Sequence, residues 1–142
     1  MTRIKNVFLV IFISPEFVVF ISILALVELY PIILESIGGR IKADSEIWKY
    51  LPTLTLAFST MAFRYSSKLR APLESTSNKA LYDWPLYPLL VDRVMVSLLF
   101  SVISGGAALV LWIYGDTFTT LQIGTIFLCA TITAATTALS MM

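Results

Sequence analysis

Hydrophobic and polar positions alternate along this chain in long blocks rather than single steps. Met1 to Asn6 is polar, with Arg3 and Lys5, and Val7 to Ile13 is wholly apolar. Ser14-Pro15-Glu16 reads as a helix start. Serine supplies an N-cap acceptor, proline fits the first helical position, and an acid suits the positive end of the helix dipole. From Phe17 to Leu34 the chain is apolar except for Ser22 and Glu28, and Gly38-Gly39 reads as a stop. A first spanning helix is therefore expected at about 15–37, preceded by a short hydrophobic segment that meets it at a bend near Pro15. One continuous helix from 7 to 37 would measure ~46 Å, well over the ~30 Å of bilayer hydrocarbon. A signal peptide fits poorly, because the apolar run is too long and lacks a small-residue cleavage site.

A polar loop, GGRIKADSE, separates this helix from the next. The second helix is expected at about 46–70, with Trp48 and Tyr50 at interface height and Lys49 and Arg64 able to snorkel. A connector at about 66–90 holds three prolines, a polar run from Glu74 to Lys79, and Tyr82, Trp84 and Tyr87. It reads as interfacial, with one short helix near 76–83. The third helix is expected at about 89–114, from Asp92-Arg93 to Trp112 and Tyr114. A tight turn at Gly115-Asp116 leads to a fourth at about 119–141, which carries no charge.

Composition agrees with the pattern. Of 142 residues 58% are hydrophobic and only 13% charged, against ~45–50% and ~25% in soluble domains. The expected fold class is therefore an all-α integral membrane protein of four spans, one transmembrane domain over 1–142. The absence of histidine removes imidazole acid–base chemistry and the commonest metal ligand. Cys129 has no partner for an intrachain disulfide. No phosphate-binding, dinucleotide-binding, zinc-protease or serine-hydrolase motif is present. The sequence predicts neither an enzyme nor a cofactor.

Charge sets orientation. With four spans, Arg3, Lys5, Arg64, Lys68, Arg70, Lys79 and Arg93 share one side, against Arg40, Lys42 and Lys49 on the other. The positive-inside rule makes the side with seven cytoplasmic, along with both termini. The expected location is the plasma (inner) membrane.

Three constellations are candidates for function. Glu28 lies ~20 Å into the first helix, where a carboxylate must be paired, protonated or wet. It is read either as an ion pair with Lys49, as a carboxylate ring in an oligomeric pore, or as a proton or substrate site; Glu16 is expected near water. Thr53, Ala57, Thr60 and Arg64 fall on one helical face, which suits either helix contact or a pore lining. Arg64, Lys68, Arg70 and Lys79 form a basic cluster that suits lipid headgroups or an anionic ligand such as a nucleotide or single-stranded nucleic acid. Small faces at Ser97/Ser101/Ser104/Gly105/Ala108 and Ala130/Ala134/Ala138 are read as packing surfaces.

Four helices with an intramembrane Glu28 resemble small multidrug transporters in plan, although that family's glutamate-centred pattern is not matched around Glu16 or Glu28. The compact bundle with a basic connector also resembles the small channel-like membrane effectors of bacterial phage-defence systems. That resemblance implies a homo-oligomer that disrupts the membrane in antiviral defence under the control of a cytoplasmic partner enzyme's nucleotide signal. The sequence-level expectation is an oligomer that forms or gates an ion pathway. The alternatives are a proton-coupled solute transporter using Glu28 and a non-conducting membrane anchor.

Overall fold

A computed structural model describes residues 8, 10–70 and 85–142, apart from the side chains of residues 45 and 68–70. Among them the chain is all-helical: α1 (Pro15–Leu29), α2 (Pro31–Ala43), α3 (Ser45–Arg70), α4 (Tyr87–Tyr114) and α5 (Thr120–Met141), with a 3-10 turn at Gly115–Thr117. Two helices, α4 with its 3-10 extension and α5, are long and apolar enough to cross a membrane. The bent pair α1 and α2 makes a third candidate if it counts as one broken span.

Side-chain caps set several boundaries. The Phe17 N–H donates to Ser14 Oγ at 3.2 Å, with Pro15 at the first helical position. Residues 8 and 10–13 are also helical, and Ser14 itself is extended, so the bend expected near Pro15 is present. Phe12 and Phe17 meet edge to face across it, with centroids 5.0 Å apart. Asp44 Oδ1 caps α3, accepting from the Glu46 and Ile47 N–H groups at 2.9 and 3.2 Å. Thr119 and Gln122 form a reciprocal capping box at the start of α5.

The expected single helix over 15–37 is instead two helices bent by 101°. Pro31 is the cause. It has no N–H to donate, and its ring drives the preceding residue out of the helical region. Tyr30 accordingly sits at φ −139°, ψ 56°. Nor do Gly38-Gly39 stop the helix, since α2 runs through them to Ala43. Gly38 is a contact point: a Cβ there would strike the Thr120 carbonyl and come within 2.9 Å of the Gly124 N, and one at Gly124 would strike the Leu34 carbonyl. The two glycines let α2 and α5 touch backbone to backbone.

Helix α3 lies alongside both α4 and α5. Leu51 packs with Leu111 and Ile123, Ser59 donates to the Ser101 carbonyl at 3.2 Å, and Tyr65 packs on Val94, Leu98 and Met141. Positions that rise along α3 fall along α4 and rise along α5, so α3 is antiparallel to one and parallel to the other. The small faces of α4 and α5 line this seam: Ser97, Ser101, Ser104, Gly105, Ala108, Ala130, Ala134 and Ala138 are all buried. One end of the bundle gathers the start of α1, the end of α3, the start of α4 and the end of α5. Trp48, against Gly115, marks the other end.

Candidate functional site

Helix α3 presents two polar faces. The inner one carries Thr55, Ser59 and Ser66, all buried; the Thr55 and Thr131 hydroxyls lie 3.3 Å apart. The outer one carries Glu46, Lys49, Thr53, Ala57, Thr60, Arg64 and Ser67, all exposed. At about 100° per residue these seven fall within one narrow stripe. Leu56 and Phe63 flank it on one side, and Leu54 and Met61 on the other, all exposed. The Thr60 hydroxyl donates to the Leu56 carbonyl at 2.8 Å, which leaves its oxygen able to accept. The predicted stripe is thus one continuous face, and it points out of the chain. The outward face of α4 differs in kind: Met95, Leu99, Val102, Ile103, Val110 and Ile113 are all exposed and all apolar.

Glu28 is exposed near the elbow between α1 and α2, where Leu29, Tyr30 and Ile32 also stand out. No ion pair joins it to Lys49, which is exposed on α3. Lys49 instead lines a small hollow with Lys42, Trp48 and Asp116. Within the anionic-ligand cluster Arg64 is exposed, the side chains of Lys68 and Arg70 are not among those described, and Lys79, with most of the connector and its expected helix near 76–83, lies outside the described residues.

Among the described residues the buried carboxyl is Glu16, not Glu28. Glu16 is 0% exposed, which corrects the expectation that it meets water. Its Oε1 lies 3.2 Å from Ser140 Oγ, and its Oε2 has no hydrogen-bond partner. Ser140 Oγ is also 2.9 Å from the Thr137 carbonyl. Local sequence marks Glu16 as a first-turn acid and nothing more; its burial comes from α5, which folds back from 124 residues away.

Beneath α1 lies an apolar cleft of about 500 Å³, walled by Phe20 and Leu24, Ile103 and Ser104, and Cys129 and Thr133. Thr133 Oγ1 is buried beside Cys129 and makes no well-formed hydrogen bond. Among the described residues no cluster of three or more acids or cysteines could hold a metal ion. No family model, curated protein or solved structure matches the chain.

Proposed function

We propose that the chain is an integral membrane subunit whose α3 crosses the bilayer and, in a symmetric homo-oligomer, lines an ion pathway. The outward polar stripe of α3 carries this reading. Helix α3 keeps register with α4 from Leu51–Leu111 to Tyr65–Leu98, so if α4 spans the bilayer, α3 spans beside it. Its 26 residues measure ~39 Å, enough to cross. A stripe holding Thr53, Thr60 and Arg64 is poorly solvated by lipid, whereas the outward face of α4 suits it. Leu51, Leu111 and Ile123 close the seam between α3, α4 and α5 towards one end, and Tyr65, Val94, Leu98 and Met141 towards the other, so no channel runs along it within one copy. Several copies with α3 turned to a common axis would wet the stripe, and the flanking Leu54, Leu56, Met61 and Phe63 would seal neighbour against neighbour. Arg64 would then form a ring of cations at one mouth, which draws anions and discourages cations.

The test uses single cysteines at Thr53, Ala57, Thr60 and Val102 in a Cys129→Ala background, reconstituted in vesicles. An impermeant thiol reagent should cut ion flux at the three α3 positions and leave it unchanged at Val102 on the lipid face. Equal protection of all four positions, or a block at Val102 alone, overturns the reading.

A further inference from the structure

We propose that the apolar cleft beneath α1 is a lipid-binding site, filled by the tail of a bilayer phospholipid seated between α1 and α4. The inference rests on α4 and α5 crossing the membrane, and it stands whether or not α3 lines a pathway.

The cleft is a gap in helix packing. Helix α1 rests on α5 but makes little contact with α4. The space left measures about 500 Å³ and is lined by Phe20 and Leu24 of α1, Phe100 and Ile103 of α4, and Ile126 and Cys129 of α5. Phe20, Leu24 and Ile103 are exposed. Packed interiors keep few voids larger than a water molecule, because the atoms lining an empty space lose their dispersion partners. An apolar cavity of ~150 Å³ already takes up a benzene-sized molecule. The cleft is over three times that volume and lies within the ~300–1,000 Å³ of ordinary ligand sites.

The lining selects the occupant. Among the described residues no charged side chain borders the cleft. The Thr125 hydroxyl donates to the Leu121 carbonyl at 2.8 Å, and Thr133 Oγ1 is itself buried. What faces the space is therefore almost wholly hydrocarbon. Water finds too few polar partners there to stay, and a headgroup would lose its hydration without gaining counter-charges or donors. An alkyl chain loses nothing by entering.

Depth and shape point to the same occupant. The lining residues fall at 100–107 of α4 and 125–133 of α5, near the middle of the two helices long and apolar enough to cross a membrane. That is the depth of lipid tails, and these segments run ~10 and ~12 Å along their helices. A long, narrow space at mid-membrane suits the end of a tail better than a compact solute. Nor does the proposed assembly compete for it. Among the described residues none from α3 lines the cleft, so copies joined through α3 leave it open to the bilayer.

The test is photolabelling of the reconstituted protein with a phosphatidylcholine that carries a diazirine near the end of one tail. Adducts are mapped by mass spectrometry. Leu24 and Ile126 in the cleft should be labelled several-fold more than Leu99 and Val102, which are exposed on the outward face of α4. Moving the diazirine next to the headgroup should remove that excess. Ala107→Phe places a ring in the cleft and should abolish the excess while leaving Leu99 and Val102 labelled; Val110→Phe, on the outward face, should leave it intact. The wild-type comparison decides even if the Ala107→Phe variant fails to fold. Cleft labelling no greater than that of Leu99 and Val102 overturns the proposal, as does an excess that a folded Ala107→Phe protein retains. A Cys129–Cys129 disulfide formed between copies under mild oxidation would overturn it too, by seating a second copy in the cleft. Absence of label from Leu99 and Val102 as well as the cleft would overturn it together with the membrane placement of α4.

Discussion

Where Gly38 and Gly124 cross, the fold depends on hydrogen atoms in place of side chains. A methyl group at Gly38 has nowhere to go, because what it meets is backbone of α5 rather than the end of a flexible side chain. Gly39, its neighbour in sequence, has nothing within 4 Å. Gly38→Ala should therefore destabilise the protein by about 1–3 kcal/mol, the usual cost of overpacking. Gly39→Ala should be neutral or stabilising by up to ~1 kcal/mol through helix propensity. Thermal unfolding in mild detergent separates the two; equal changes in Tm would remove the backbone-contact account. The same pair shows what a single position can reveal. Two glycines after an apolar run suit a helix stop and a close helix crossing equally well, and only the partner helix decides. Ser14 is legible because a cap and the N–H that donates to it are three residues apart. Glu16 is not, because its environment is supplied by α5.

At the scale of an element, α3 divides its polar residues between packing and the outer surface. Thr55→Val removes a part-buried hydroxyl pair with Thr131 and should cost about 1 kcal/mol. Thr53→Val and Thr60→Val lie on the exposed stripe and should leave the melting temperature within error. In the proposed pathway those two should lower ion flux several-fold, whereas Thr55→Val acts through stability. Flux and melting measured on all three variants check this, and a Thr53→Val protein that melts early yet conducts normally would place the stripe in a packing interface. Periodicity identified Thr53, Ala57, Thr60 and Arg64 as one face but missed the inner face, Thr55, Ser59 and Ser66. Both faces are polar and small, so the hydrophobic pattern alone does not say which one turns inward. The elbow has a readable signal: Pro31 inside an apolar run breaks a helix at the preceding residue, so the length of the run alone overstates the first helix. Asp44 ahead of Ser45-Glu46-Ile47 was a readable cap as well.

Across the whole molecule, the two ends of the bundle differ in chemistry, and that difference bears on how the chain sits in a membrane. The end that gathers the start of α1 and the ends of α3 and α5 also receives Arg64 and Arg93. The opposite end carries Trp48, Tyr50, Trp112 and Tyr114, a grouping suited to a membrane–water boundary. If the chain crosses four times, as its sequence predicts, seven Lys/Arg fall on one side against three on the other, an excess of four. At roughly 1 kcal/mol per cation near an anionic leaflet, that excess is worth about 4 kcal/mol, enough for a single orientation to dominate. The basic end should therefore face the cytoplasm. Ser67 and Asp116 are exposed at opposite ends, which makes them suitable reporters in a Cys129→Ala background. An impermeant thiol reagent applied to intact cells should label a cysteine at 116 and spare one at 67, and opening the membrane should expose both. Labelling of 67 alone from outside would invert the molecule and place the Glu16–Ser140 contact and the Arg64 mouth on the outer face. Labelling of both from outside would mean that α3 does not cross the bilayer, and the proposed pathway would fail with it.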